Sequence, residues 1–377
     1  MPIIWEDFVD MSIRHTQLEI DLDAIRHNVG CFRKAAGGAK VLAVVKADAY
    51  GHGAVQCANA ALQAGASCLA VALIEEGMAL RDAGVDAPIL MLGPTDGAGA
   101  FAAVENGITQ VVFEPDTLLA LQGAAKSLGV TAHAHLKLDT GMNRIGVRTE
   151  DELRTLLDAA AQCPDVRITG AMTHFATADV PGSDFGLEQI ARYDAFLRVI
   201  GEYGLNVTRH AAASAAALRY PQARYDMVRA GIVMYGVDAL EQLPVRPAMR
   251  WVTRVSYVKT IEKGETVSYG RRFTAIRPTR IATLPVGYAD GYRRAFSNKA
   301  CALVHGVRVP VVGSVCMDQI MLDVTGLDVR EGDEAVLLGA QGGERITPCE
   351  LADIADTIPY EIMTGVSQRV PRVWLHG

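Results

Sequence analysis

The sequence predicts an α/β protein: a (β/α)8 TIM-like barrel followed by a mostly β C-terminal domain. Three observations carry this. From Val41 onward, short apolar runs recur at intervals of roughly 20 to 35 residues with helical patterns between them, the beat of a (β/α)8 barrel. After about residue 240 the helical patterns give way to short strand-like runs separated by glycine turns. Chemically reactive side chains stand at the ends of the apolar runs, where barrels of this kind place their active sites.

The first run, Val41 to Lys46, ends in a lysine, a small acidic turn, a tyrosine and two glycines flanking a histidine. It reads as a buried strand delivering one amine to its end. The remaining seven runs are Cys68 to Leu73, Pro88 to Gly93, Thr109 to Glu114, His133 to Asp139, Ile168 to Phe175, Thr208 to Ser214 and Met227 to Gly236. Helices are expected between them, as at Ala54 to Gly65, Thr117 to Gly129 and Glu150 to Ala161. Two prolines at Pro244 and Pro247 mark the change of texture. Beyond them Trp251 to Ile261, Arg280 to Pro285, Ala302 to Val312 and Ala335 to Leu338 read as strands, with one helix near Glu350 to Asp356. The expected division is therefore an N-terminal extension over residues 1–15, a barrel over 16–240 and a β domain over 241–377. The strand-like stretch within residues 16–22 is placed with the β domain.

The chain has 377 residues, 21% of them charged and 50% apolar, and a formal net charge of -7. This supports a sizeable core and argues against a nucleic-acid or anionic-membrane surface. No basic segment precedes an apolar core near the start, and no apolar run is long enough to span a membrane, so a cytoplasmic protein is expected. Seven scattered cysteines fit reduced thiols.

Burial at a strand end would favour the neutral form of Lys46, the form that attacks a carbonyl and holds a Schiff base. In the fifth run, strand alternation puts His133, His135, Lys137 and Asp139 on one face, which must look into the barrel. Two histidines two apart could begin a metal site, but no further ligand spacing accompanies them, and satisfied interior histidines are the expectation. Arg144 lies in the following loop, His174 ends the sixth run, Ser214 follows the seventh and Arg229 lies in the eighth.

Seven segments resemble alanine racemases: AVVKADAYGHG, KLDTGMNRIG, HAAASAA, RAGI, PVGYADGYRR, GSVCMDQI and IPYEIMTGVSQRVPR. The resemblance spans nearly the whole chain. It implies a pyridoxal-phosphate-dependent racemase, an isomerase interconverting L-alanine and D-alanine by a two-base mechanism, for peptidoglycan or alanine catabolism. It assigns Lys46 as the cofactor lysine and first base. Tyr50, Ser214, Gly231, Ile232 and Tyr360 fall to the cofactor phosphate. Arg229 falls to the pyridine nitrogen, with His210 behind it and His174 against the ring. Arg144 and the backbone N–H of Met317 fall to the substrate carboxylate, and Lys137 becomes a candidate for carbamylation. The second base is expected to be Tyr288, reaching the active site of a partner subunit, so a homodimer with shared sites is expected. Ala213 stands where the family more often has asparagine, and Ser314 where it commonly has arginine. Cys316 is read as a bystander. A decarboxylase on a similar architecture is opposed by Arg229; a broader amino-acid racemase would share these segments; a non-catalytic cofactor carrier would leave the β domain without purpose.

Overall fold

The computed structural model describes residues 14–377. The extension expected over residues 1–15 lies outside the described residues, except for Arg14 and His15. The chain forms two units: Asp23–Arg246, and the segment up to Leu22 together with Pro247–Gly377.

In the first unit eight parallel strands follow one another around a barrel: Lys40–Val44, Cys68–Val71, Ile89–Met91, Ile108–Val112, Ala132–Lys137, Val166–Met172, Thr208–His210 and Met227–Ala230. The first also pairs with the last, Lys40 opposite Met227. Between the seventh and eighth the ring is bridged by backbone bonds from Asp226 N to Arg209 O (3.1 Å) and from Arg229 N to Ala212 O (2.9 Å). The apolar runs that announce these strands are buried on both faces, as in Val41 to Val44, which is why they read as continuous rather than alternating. Helices Ala54–Gln63, Pro115–Leu128 and Glu150–Ala161 lie between strands. The last is capped reciprocally by Thr149 and Glu152.

Two expectations are corrected here. The first strand ends at Val44, and the ladder closes with Val45 N donating to Ala70 O, so Lys46 stands just past the strand. In the fifth strand His133 is exposed while Lys137 is buried; the register shift beside it puts the extra residue, Thr169, in the neighbouring strand.

The second unit is built on two larger sheets and a short ribbon. Gln17–Asp21 pairs antiparallel with Met249–Arg254 and parallel with Arg372–Leu375. The stretch expected as one strand from Trp251 to Ile261 is two, Met249–Arg254 and Tyr257–Ile261, in different sheets. Val255 N bonds to Asp333 O and Ser256 N to Thr283 O, handing the chain from one sheet to the other. Ala302 to Val312 is a hairpin of Cys301–Val304 and Val307–Pro310. A second short helix, Pro359–Thr364, follows Pro348–Ala355.

Candidate active site

At the carboxyl end of the first barrel strand, Lys46 opens a single turn in which Ala47, Asp48, Ala49 and Tyr50 all have φ between 51° and 55°. Left-handed backbone costs an L-residue roughly 1–2 kcal/mol each, so neighbours must hold this turn. Glu76 does so: its carboxylate accepts from Ala47 N at 2.6 Å and from Ala72 N at 2.8 Å. Asp48 accepts from Ala54 N at 2.8 Å, tying the turn to the next helix. His52, fully buried, places Nδ1 3.0 Å from Ala49 O and 3.1 Å from Tyr50 O. Tyr235 donates to Val44 O at 2.8 Å and packs its ring 4.8 Å from Tyr50 and 4.5 Å from His52. The turn thus aims Lys46 and Tyr50 from one short segment. Burial lowers the pKa of the Lys46 amine and the charge of Arg144 lowers it further, against the opposing pull of Glu76.

Tyr50 reaches a small cradle. Gly231 N donates to Ser214 Oγ at 3.1 Å. A Cβ on Gly231 would lie 3.2 Å from the Tyr50 hydroxyl and 3.7 Å from Ser214 Oγ. Both hydroxyls therefore face the space that the missing side chain leaves open, a shape suited to an oxyanion. Ile232 follows directly, and among the described residues no backbone acceptor meets its N–H. Ala213 precedes Ser214 with no side-chain cap.

Arg229 crosses the barrel floor at 3% exposure. Nη1 donates to His210 O at 2.8 Å and Nη2 to Thr173 O at 2.8 Å, Ala211 O at 3.0 Å and His174 Nδ1 at 3.0 Å. Its Nε–H, the fifth donor of the fork, meets no acceptor among the described residues. His210 lies 3.4 Å from Nη1 through Nδ1, and its Nε2 lies 2.9 Å from His135 Nδ1. Burial holds all three histidines below the usual range, with His135 at about 4. They are neutral rings at pH 7, and Arg229, lowered by burial to about 10, remains the cation among them.

Lys137 is buried at 3% exposure, with its amine bonded to Leu138 O at 3.2 Å. Burial and then the charge of Arg229 lower it to about 8. Beside it Asp139 shapes the loop that follows, accepting from Gly141 N (2.9 Å), Asn143 N (3.0 Å) and Arg144 N (3.1 Å). Burial alone would raise this carboxyl, but those N–H groups and Lys137 hold it below the carboxylate range. Arg144 is carried exposed on the loop so formed.

The second unit has its own group of residues. Tyr288 opens a tight turn, 41% exposed, with its N–H bonded to Cys316 O and Ala289 N–H to Met317 O, both at 3.0 Å. The turn is fixed from below by buried Asp290, which accepts from Gly287 N and pairs with Arg14 at 2.7 Å. Met317 is 52% exposed, and among the described residues no backbone acceptor meets its N–H. Tyr360 lies in helix Pro359–Thr364, at 36% exposure. Sequence reasoning passed over Tyr269. It is 69% exposed, on a turn where Ser268 (φ 68°) and Arg271 (φ 50°) are both left-handed non-glycine residues. Strain of that kind persists where surrounding structure enforces it and clusters at functional sites. The pattern Ser-Tyr-Gly-Arg-Arg, a phenol followed by two cations, was the available signal.

The family models "Alanine racemase, N-terminal domain" and "Alanine racemase, C-terminal domain" match residues 20–239 and 248–374. An alanine racemase of Symbiobacterium thermophilum is 46% identical over 369 residues, covering 96% of this chain and 98% of that protein. The crystal structure of alanine racemase from Bacillus anthracis with bound L-Ala-P superposes with a TM-score of 0.92 at 37% identity, over 97% of this chain and 96% of that one. A histidine racemase from Leuconostoc mesenteroides superposes with a TM-score of 0.87 at 29% identity, over 97% of this chain and 99% of that one. The chain belongs to the alanine racemase family, a family of pyridoxal-phosphate-dependent isomerases.

Proposed function

We propose that this chain interconverts L-alanine and D-alanine, with pyridoxal phosphate held at the carboxyl end of the barrel. The observation that carries the reading is the joint presence of an amine kept toward its neutral form at Lys46 and an oxyanion cradle at Tyr50, Ser214 and Gly231. The residues suit the cofactor: Lys46 would hold its aldehyde carbon, and the cradle its phosphate, with Ile232 N–H and Tyr360 adding donors. Arg229 would offer its unengaged Nε–H to the ring nitrogen, with His174 against the ring and His210 fixing the arginine from behind. Pyridoxal phosphate, when bound, supplies an electron sink that acidifies the proton on substrate Cα.

Because a guanidinium carries no proton to surrender at neutral pH, Arg229 would leave the ring nitrogen of the bound cofactor unprotonated. Arg144 and Met317 N–H would fix the substrate carboxylate. A charged Lys137 beside Arg144 and Arg229 would repel both, whereas its carbamate would accept guanidinium hydrogen bonds; we therefore assign Lys137 as carbamylated.

Racemisation needs a proton taken from one face of Cα and returned on the other. Lys46 serves one face. Tyr288 is the tyrosine expected from sequence for the other, but Tyr269 has the better case: it is the more exposed and sits on the strained turn. We assign the second proton transfer to Tyr269 and a substrate-facing role to Tyr288. Since Tyr269, Tyr288 and Met317 belong to the second unit and are exposed in the single chain, we propose a homodimer in which they serve a partner's barrel. Cytoplasmic supply or breakdown of D-alanine is the corresponding role.

The test is loss of optical rotation from L-alanine, L-serine, L-lysine, L-arginine and L-histidine with purified protein and added pyridoxal phosphate. Alanine should react far faster than the rest. Faster loss from histidine or a basic amino acid would favour a broader racemase. No loss with any, despite a borohydride-trapped adduct on Lys46, would favour a cofactor carrier.

A further inference from the structure

We propose that Ser314 and Ser268 form a two-way latch that fixes the turn carrying Tyr269, making Ser314 a positioning residue for the second proton transfer. This rests on the assignment of Tyr269 given above. Ser314 is 1% exposed and donates from Oγ to Tyr269 O at 2.8 Å; in return Ser268 Oγ donates to Ser314 O at 2.7 Å. Each serine thus ties its own segment to the other's backbone.

The two partners are unequal in rigidity. The Ser314 segment is held on both sides, by Gly313 N to Asn298 Oδ1 at 2.6 Å and by Val315 N to Ser297 Oγ at 2.9 Å. Gly313, at φ 78°, also lets the segment press against the turn, since a Cβ there would lie 2.8 Å from Val267 O and 2.9 Å from Ser268 Cβ. The Tyr269 turn closes the short ribbon of Thr266–Val267 with Phe273–Thr274; across it Arg271 N reaches Ser268 O at 3.2 Å and Arg271 Nε reaches Thr266 Oγ1 at 3.1 Å, Asn298 Nδ2 donates to Arg272 O at 3.0 Å, and the tyrosine is exposed. A turn holding two left-handed non-glycine residues needs an outside hold, and the serine pair supplies one at the tyrosine's own carbonyl. The bond to Tyr269 O is made by the serine hydroxyl, so it depends on Ser314 itself. A buried serine merely satisfying itself would leave the chemistry indifferent to its loss.

The experiment compares Ser314→Ala, Ser268→Ala, the double variant, Ser314→Thr and Tyr269→Phe in the holoenzyme, reading kcat and the isotope effect with α-deuterated L-alanine and D-alanine. A slackened tyrosine slows its own transfer, so kcat should fall roughly 10- to 100-fold in each alanine variant. The isotope effect should rise for the enantiomer that Tyr269 deprotonates and fall for the other. It is a ratio, insensitive to the fraction of protein folded. The double variant should be little worse than either single one, because both bonds hold one turn, and Ser314→Thr should retain most activity. Wild-type isotope effects in both single alanine variants, with Tyr269→Phe inactive, would overturn the latch alone. Full activity in Tyr269→Phe would overturn the assignment of Tyr269 itself.

Discussion

Nη2 of Arg229 donates to Nδ1 of His174 over 3.0 Å, and the tautomer of that imidazole follows from the bond. An arginine can only donate, so neutral His174 carries its proton on Nε2. The same guanidinium reaches Thr173 O and Ala211 O, which fastens the ends of the sixth and seventh barrel strands to the eighth. One side chain therefore sets both the local electrostatics and the geometry of the barrel floor.

Replacing Arg229 by lysine keeps a charge but removes the planar fork. At least two buried acceptors lose their donor, at about 1–3 kcal/mol each. The denaturant midpoint should fall by the equivalent of about 2–6 kcal/mol, and racemisation should drop with it. An unchanged midpoint would show that the fork is not structural.

Gly231→Ala places a methyl group 3.2 Å from the Tyr50 hydroxyl and 3.7 Å from Ser214 Oγ. Gly231 has φ -104° and ψ -113°, outside the ordinary α and β regions, so a circular-dichroism spectrum of the variant is recorded alongside to separate a filled cradle from a disturbed fold. Equilibrium dialysis should show pyridoxal phosphate binding weakened roughly 10- to 100-fold, equal to about 1.4–2.7 kcal/mol. Undiminished affinity would move the phosphate elsewhere.

The barrel and its lysine were legible because burial on both faces forces continuous apolar runs, and because a single amine closing such a run is chemically conspicuous. His133 misled because its exposure near the amino end of the strand has no signature in residue type. The left-handed run from Ala47 to Tyr50 is equally silent, since none of those four is glycine; what holds it, Glu76 and Tyr235, lies far off in the chain. In the second unit the handover between sheets at Val255 and Ser256 falls inside one continuous strand-like pattern. Tyr269 escaped notice for a related reason: its strain and its tie to Ser314 exist only in three dimensions.

Lys137 gives a pH signature. Its pKa is about 8 in the folded chain against 10.5 for a free lysine side chain. The native state then binds fewer protons than the unfolded one between those pH values, so stability should rise from pH 8 toward 10.5, the burial penalty being present in full below 8. Bicarbonate-free protein should show this rise in thermal melts and low activity. Restoring bicarbonate should abolish the rise and recover activity, with the added mass of one carbon dioxide on Lys137. A fully active enzyme whose intact mass shows a bare amine would remove the carbamate.

In the proposed racemisation two groups work on opposite faces of Cα, Lys46 on one and Tyr269 on the other. Solvent-deuterium exchange at Cα, followed separately for L-alanine and D-alanine in Tyr269→Phe, tests it most directly. One enantiomer should lose exchange by several orders of magnitude while the other keeps exchanging through Lys46. Equal, undiminished exchange of both would contradict a two-base enzyme built on this tyrosine.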